Sequence, residues 1–184
     1  MRGRDRAHDR AILDALEQAG YSPFGGDVWR VARKGRDVLK GSSANGRWSP
    51  PGEFEVLYTS MEPDGAIAEA GFRLSLEPVW PSRIEHDLHR ISIQLERTLR
   101  LAEIPQLSNL GVNVTKYTSF DYTDTQTIAS AAHFLEYDGL IVPSARHQCT
   151  NLVVFLDRVG KNLRLDVRET TPVDWGAWRK NQNR

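Results

Sequence analysis

Three residues whose side chains carry familiar chemistry lie close together between positions 45 and 69. Arg47 follows a glycine in a turn, Tyr58 ends a short apolar strand, and Glu69 lies in the helix that comes next. A guanidinium group pairs with phosphate oxygens, an aromatic ring packs against planar groups, and a carboxylate stabilises positive charge. Because binding groups concentrate on loops held by a rigid scaffold, the sequence predicts a functional unit here.

The histidines and the single cysteine limit which metal sites, catalytic histidines and disulfides the sequence can contain. His86 and His89 stand three apart in a charged segment without a third metal ligand beside them, so we interpret them as part of a solvated face. His133 falls in an amphipathic helix and is interpreted as half-buried and structural, whereas His147 lies in a loop and has the better functional claim. With Cys149 alone, no internal disulfide can form. Glycine-rich phosphate loops, HExxH and GxSxG motifs are absent from the sequence.

The composition predicts one cytoplasmic domain without a membrane segment. The chain has 184 residues, of which 40% are hydrophobic, and this is enough for a real core. Basic and acidic residues number 24 each, so the positive excess that is typical of direct nucleic-acid binders is missing. No apolar run approaches the roughly 20 residues of a membrane span, and the N-terminus lacks the apolar segment of a signal peptide.

Helical and strand patterns alternate irregularly along the chain, which favours the α+β class. Helices are predicted at 11–18, at 124–136 and from a cap at Ser60 or Asp64 to Phe72, with Ile67, Ala70 and Leu74 facing the core. Strands are predicted at 27–32, 55–59, 91–95, 139–143, 151–156 and 163–167.

We divide the chain into an N-terminal extension with a short helix (1–26), a main domain (27–170) and a C-terminal tail (171–184). The tail is polar apart from two tryptophans, Trp175 and Trp178. These two residues are expected to cover the edge of the core or, as the alternative, to bind a partner.

The order and spacing of several short motifs resemble the RES domain family, which is named for an arginine, a glutamate and a serine. The first half contains Trp29-Arg30, Gly46-Arg47-Trp48, Tyr58-Thr59-Ser60 and Glu69. The second half contains Gln126-Thr127-Ile128-Ala129, the run DGLIVPSAR ending at Arg146, and Asn151-Leu152-Val153-Val154-Phe155. The resemblance covers 27–156. The chain departs from the family pattern at Asn45 and Ser49, where glycine and asparagine are usual.

The resemblance implies a mixed α/β domain with a central split β-sheet, similar to ADP-ribosyltransferase toxins. It also implies a toxin of a bacterial type II toxin–antitoxin pair that degrades NAD⁺ at the nicotinamide–ribose bond, by hydrolysis or phosphorolysis, and so arrests growth. The implied partner is an Xre-like antitoxin, and no metal is expected. Transfer of ADP-ribose to a cellular protein, a catalytically inactive NAD- or antitoxin-binding module, and a homodimer stay open as alternatives.

The resemblance carries the catalytic roles to four residues of this chain: Arg47, Tyr58, Glu69 and Ser144. The predicted NAD⁺-binding set is Arg30, Arg47, Tyr58, Gln126, Ser144 and His147.

Cleavage of this bond passes through a ribose with oxocarbenium character, which a carboxylate such as Glu69 stabilises near the ribose hydroxyls. Arg47 and Arg30 suit the pyrophosphate, and Tyr58 suits stacking on nicotinamide. Ser144 suits either a hydrogen bond to the nicotinamide end or the orientation of Glu69. Each residue also has a purely structural interpretation, as a turn, strand-core or solvated helix residue.

Overall fold

The computed structural model describes residues 8–159 and 164–182, and these form six β-strands and five α-helices. The strands are β1 (Ser22–Arg33), β2 (Val56–Ser60), β3 (His86–Arg100), β4 (Gly139–Pro143), β5 (Thr150–Phe155) and β6 (Arg164–Pro172). The helices are α1 (Arg10–Ala19), α2 (Pro63–Ser75), α3 (Ile104–Asn109), α4 (Thr123–Phe134) and α5 (Trp175–Gln182), with a short 3₁₀ helix at Val114–Lys116.

The sheet consists of two parts that share the long strand β3. Its strand order is β1-β2-β5-β4-β3-β6, and β1 also pairs with β3. In the three-strand part, the first half of β3 lies antiparallel between β1 and β6. In the four-strand part, residues 98–100 of β3 pair in parallel with β4, and β5 and β2 follow. Strand β1 also pairs with β2 through Trp29 and Ser60, so it contacts both parts. The fold is mixed α+β, as the resemblance implied.

Both faces of the four-strand part are covered by apolar side chains, because neighbouring residues of a strand point to opposite faces. On one face, Leu140 and Val153 belong to a core that includes residues of three helices: Leu16, Leu107 and Ile128. On the other face, Ile141 and Leu152 belong to a second core with Val28 of the three-strand part. The second core holds the two parts of the sheet together.

The short buried elements lie close to their predicted positions. Strand β4 has the predicted bounds, and β2, β5 and α4 each differ from prediction by one or two residues at either end. Helix α1 ends at Gly20, whose φ of 69° favours glycine. Continuous apolar runs of strand length predicted these strands correctly, since both of their faces are buried.

The predicted buried face of α2 is wrong. Its buried residues are Gly65, Ala66 and Gly71, whereas the expected Ile67, Ala70 and Leu74 are half-buried. Small residues lie inward because the neighbours come close: an added methyl group at Gly65 would collide with Cys149 and Ser60, and one at Gly71 with Trp178. The helix is also not capped as expected: Glu62 is its N-cap residue, and Pro63 occupies the first turn.

The three-strand part was predicted less completely. The charged segment before Ile91 forms the first part of β3, and α5 was not predicted as a helix.

The interpretation of His86 and His89 as part of a solvated face is wrong. His89 is buried with Nδ1 2.9 Å from Thr170 Oγ1, and His86 Nδ1 accepts a hydrogen bond from Trp175 Nε1 at 3.2 Å. Residues three apart in a strand point to opposite faces, so these two histidines cannot bind one metal ion.

The division into 1–26, 27–170 and 171–184 stays a prediction. Residues 1–7 of the expected extension, residue 163 of the last expected strand, and residues 183–184 of the expected tail lie outside the described part of the chain. Within the described part, no helix combines the length and the apolar character that crossing a membrane requires.

Candidate active site

Glu69 lies on α2 and is bound by two side chains from neighbouring strands. Ser144 Oγ, directly after β4, donates a hydrogen bond to Glu69 Oε1 at 2.7 Å, and Asn151 Nδ2 on β5 donates to the same oxygen at 3.1 Å. Among the described residues, no hydrogen-bond donor contacts the second carboxylate oxygen, Oε2. Two donors on one oxygen fix the orientation of the carboxylate, so Oε2 is available to a ligand.

The hydroxyl group of Ser144 has no hydrogen-bonding capacity left. It donates its one hydrogen to Glu69 and accepts from the backbone N–H groups of Arg146 at 3.1 Å and His147 at 3.2 Å. A serine hydroxyl has one donor and two acceptor sites, so all three are in use. Two roles were expected of Ser144, and this geometry agrees with the one in which it orients Glu69.

Asn151 is a residue that sequence reasoning missed, because it was noted only as part of a motif. Its amide orientation is determined by Glu69, since a carboxylate accepts hydrogen bonds and only Nδ2 can donate. Its Oδ1 is buried, and no residue in 8–159 or 164–182 forms a hydrogen bond with it. An unpaired buried acceptor costs roughly 1–3 kcal/mol, so Oδ1 is suited to a ligand N–H group. Strand pairing, which places Asn151 opposite Ser60, brings it here.

Arg47 projects from a tight turn in which the backbone N–H groups of Gly46 and Ser49 each donate to the other residue's carbonyl. Its Nη2 donates to the backbone oxygen of Ser119 at 3.1 Å. Its guanidinium carbon lies 4.7 Å from the ring centre of Tyr117 and 4.9 Å from that of Tyr122. The guanidinium therefore lines a cavity of about 210 Å³ with its orientation fixed by two aromatic rings.

Tyr58 and Gln126 both hold this turn in place. The Tyr58 hydroxyl accepts from Trp48 N at 3.0 Å and is hydrogen-bonded to Ser49 Oγ at 3.0 Å. Gln126 Nε2 donates to Asn45 Oδ1 at 2.6 Å and to the backbone oxygen of residue 46 at 2.9 Å. Burial raises the pKa of Tyr58, so its phenol stays protonated. The two departures from the family pattern, Asn45 and Ser49, thus each contribute a contact.

Arg30 lies on the other side of this arrangement, and its Nη1 donates to the backbone oxygen of Tyr58 at 2.8 Å. Burial, and then the charge of Arg73, lowers the pKa of Arg30. Its buried Nε has no hydrogen-bond partner within the described part of the chain. The bond from Nη1 connects β1 to β2. His147 lies in the loop after β4, with Nε2 3.9 Å from Glu62 Oε2.

Arg146 and Tyr117, neither of which was assigned a role from the sequence, lie between the Glu69 cluster and the Arg47 turn. Burial lowers the pKa of Arg146, while the charge of Glu69 raises it and that of Arg47 lowers it. Burial raises the pKa of Tyr117, against the charge of Arg47, and its hydroxyl donates to the backbone oxygen of Pro143 at 2.7 Å. The structure thus brings one carboxylate and two arginines into one region.

The chemistry of this region is electrostatic. Within residues 8–159 and 164–182, no cluster of three or more His, Cys, Asp or Glu side chains is placed to hold a metal ion. A fixed carboxylate with one available oxygen suits a developing positive charge, and arginine forks suit phosphate oxygens.

The family model described as the RES domain matches residues 27–176. This chain belongs to the RES domain family. The resemblance found in the sequence is therefore confirmed.

Named relatives are similar to this RES domain protein over most of its length. "Probable NAD(+) phosphorylase Rv3189" of Mycobacterium tuberculosis is 34% identical over 149 residues, covering 79% of this chain and 71% of that protein. "NAD(+) phosphorylase MbcT" of Mycobacterium bovis is 23% identical over 145 residues, covering 76% of this chain and 78% of that protein. MbcT of Mycobacterium tuberculosis matches to the same extent.

The fold is also similar to a chain of the crystal structure of the M. tuberculosis MbcT-MbcA toxin-antitoxin complex. The match has a TM-score of 0.78 at 21% sequence identity and covers 97% of this chain and 100% of that chain. At this identity, the similarity establishes the shared fold.

Proposed function

We propose that this RES domain protein is a toxin that cleaves the nicotinamide–ribose bond of NAD⁺ and transfers the ADP-ribosyl group to phosphate. The observation that carries the proposal is the carboxylate of Glu69, held by Ser144 and Asn151 on one oxygen with the other oxygen available. The relatives named NAD⁺ phosphorylases support the same reaction.

The reaction breaks the bond between ribose C1′ and the pyridinium nitrogen, and the electron pair leaves with nicotinamide, which becomes neutral. Positive charge spreads over C1′ and the ring oxygen as the bond lengthens. Glu69 Oε2 stabilises this charge, and its effect is strongest in the transition state. A phosphate oxygen then bonds to C1′, giving ADP-ribose phosphorylated at that carbon. No protein nucleophile is required.

Arg47 and Arg146 bind the pyrophosphate, because Arg146 interacts with both Glu69 and Arg47 and both arginines carry forks that match phosphate oxygens. Tyr58 and Gln126 act mainly by holding the Arg47 turn, and Ser144 acts by orienting Glu69.

The unpaired Oδ1 of Asn151 accepts a hydrogen bond from the carboxamide N–H₂ of nicotinamide. Contacts of Arg30 and His147 with NAD⁺ stay predictions, as do stacking of Tyr58 on nicotinamide and the cytoplasmic location.

The partner in this proposal is an antitoxin. The support is the similarity to a chain of a toxin-antitoxin complex. An Xre-like DNA-binding region in that antitoxin, a protein acceptor for ADP-ribose and a homodimer stay predictions.

The test is to incubate purified protein with NAD⁺ in the presence and absence of phosphate, and with a cell extract, and to separate the products by chromatography. We expect free nicotinamide together with phosphorylated ADP-ribose, formed only when phosphate is present. If free ADP-ribose forms at the same rate without phosphate, the reaction is hydrolysis and not phosphorolysis. A labelled protein would indicate transfer of ADP-ribose to that protein. NAD⁺ that stays intact under all three conditions would favour an inactive binding module.

A further inference from the structure

A second cavity, larger than the one at Arg47, lies between α2 and α5. Its volume is about 560 Å³, within the range of roughly 300–1,000 Å³ that is usual for small-molecule sites. It is lined by residues of α2, of the segment between α2 and β3, of α5 and of the loop after β4, among them Phe72, Trp80, Arg146, His147, Trp178 and Arg179. The cavity therefore joins one loop of the candidate active site to the C-terminal helix.

The walls of this cavity combine aromatic rings with cationic groups. Trp80 and Trp178 lie with their ring centres 6.2 Å apart and 23° between their planes. The Arg179 guanidinium carbon lies 4.9 Å from the ring centre of Trp80, and the Arg146 guanidinium carbon lies 3.4 Å from that of Phe72. Among the described lining residues, Glu77 alone is acidic. An anionic ligand with an aromatic ring matches such a wall.

Helix α5 is held in place by aromatic contacts, so the cavity is preformed. The Trp175 ring packs edge-on against Trp80 and Trp178, and its Nε1 donates to His86. Trp178 lies directly against Gly71, where any side chain would collide with its ring. These contacts fix Arg179 and Gln182, which follow Trp178 on the same helix.

The cavity is linked to Glu69 through Ser144. The Ser144 hydroxyl donates to Glu69 and accepts from the backbone N–H groups of Arg146 and His147, which both line the cavity. Along α2 the lining extends from Ala68 to Ser75, about 10 Å at 1.5 Å per residue. Arg146 belongs to this lining and also interacts electrostatically with Glu69. A ligand whose reactive end lies at Glu69 can therefore extend along α2 into the cavity.

We propose that this cavity binds the adenosine monophosphate half of NAD⁺, an inference that rests on the function proposed above. The phosphate lies at Arg146 and His147, nearest Glu69. The adenine packs against the tryptophan-lined wall, with Arg179 beside it and Gln182 in reach of its N6 and N7, a pairing that glutamine makes well. In this assignment, Trp178 forms the substrate site and Trp175 supports it.

The test compares NAD⁺ with nicotinamide mononucleotide, which has the same scissile bond and lacks the adenosine monophosphate half. Arg179→Gln should lower kcat/KM for NAD⁺ by about tenfold or more, the scale of a lost contact to a charged group. It should leave kcat/KM for nicotinamide mononucleotide unchanged. The matched control is Arg168→Gln, since Arg168 is an exposed arginine on β6 outside the cavity. Equal losses on both substrates, or no loss on NAD⁺, would overturn the proposal.

A second measurement separates this inference from the proposed function. Adenosine monophosphate alone should bind the wild-type protein in calorimetry, bind Arg179→Gln at least several-fold more weakly, and inhibit NAD⁺ cleavage competitively. If the wild-type protein cleaves neither substrate, the proposed function fails, while binding that depends on Arg179 still supports the cavity as a nucleotide site. Equal affinity of the wild-type protein and Arg179→Gln for adenosine monophosphate would contradict the assignment. Inhibition that is not competitive with NAD⁺ would contradict it as well.

Discussion

The four-strand and three-strand parts of the sheet use polar residues in different ways. At the four-strand part, Glu69 of the adjoining helix α2 and Asn151 of β5 each keep one oxygen without a hydrogen-bond partner among the described residues. In the three-strand part, His89 and His86 are paired with Thr170 and Trp175. At these residues, the four-strand part presents hydrogen-bonding groups to a ligand, whereas the histidines of the three-strand part are hydrogen-bonded internally. The difference predicts that substitutions at Glu69 or Asn151 change the reaction and that substitutions at the two histidines change stability.

The largest effect is expected at Glu69. Glu69→Gln keeps the acceptor oxygen that Ser144 and Asn151 bind and removes the charge, so kcat should fall by roughly a hundredfold or more. The melting temperature should change little, and the variant should be tolerated in cells in which the wild-type protein arrests growth. A folded Glu69→Gln variant that is fully active and toxic would remove Glu69 from the mechanism.

The next effect is expected at Arg47, on substrate binding. Arg47→Ala should weaken NAD⁺ binding by about 1.5–3 kcal/mol, because a charge-assisted contact is lost. Arg47→Lys should restore part of this, since a lysine cannot form the bidentate fork. Calorimetry measures the NAD⁺ affinity of both variants. Wild-type affinity in Arg47→Ala would mean that Arg47 is a structural residue of the turn and does not bind NAD⁺.

A smaller effect is expected at Gly46, which tests how closely the turn must pack on β2. A Cβ at this position would lie 2.7 Å from both Tyr58 Oη and Ser49 Oγ. Gly46→Ala should therefore lower the free energy of unfolding by about 1–3 kcal/mol and weaken NAD⁺ binding as Arg47 is displaced.

The matched control for Gly46 is Gly25→Ala, because no described residue other than its chain neighbours lies within 4 Å of the Cβ that would be added there. Denaturant titration of both variants measures the free energy of unfolding of each. Equal stability of the two would show that the turn tolerates displacement from Tyr58.

The smallest effect is expected at His89 and concerns stability alone. Burial, and then the charge of Arg30, lowers the pKa of His89 in the folded protein, against a raising effect of Asp87. The folded state thus binds a proton less readily than the unfolded state. This contribution to stability is fully present above the ordinary histidine pKa of about 6.5 and is lost as the pH falls through the folded value.

We expect the melting temperature of the wild-type protein to fall between neutral pH and about pH 5.5, and His89→Gln to reduce that slope. His86 and His133 have pKa values shifted in the same direction by burial, so part of the slope should remain. Turnover of NAD⁺ by the variant at neutral pH should match the wild-type value. A loss of turnover with unchanged stability would contradict the division between the two parts of the sheet.

The sequence alone determined the short buried elements and the family. Strand β4 was predicted to the residue, because a continuous apolar run between two turns has only one way to bury both faces. The motifs around Arg47, Glu69 and Ser144 were sufficient to indicate the family because their order and spacing are preserved, even though each motif alone is short.

The tertiary structure alone decided which polar residues meet. Asn151 contacts Glu69 because β5 pairs with β2 next to α2, and no local pattern encodes that pairing. Strand β3 extends through a charged segment because two partner strands satisfy its backbone, and α5 exists because its tryptophans pack on Trp80. Local propensity acts over a few residues, whereas these contacts join positions tens of residues apart, so only the folded chain specifies them.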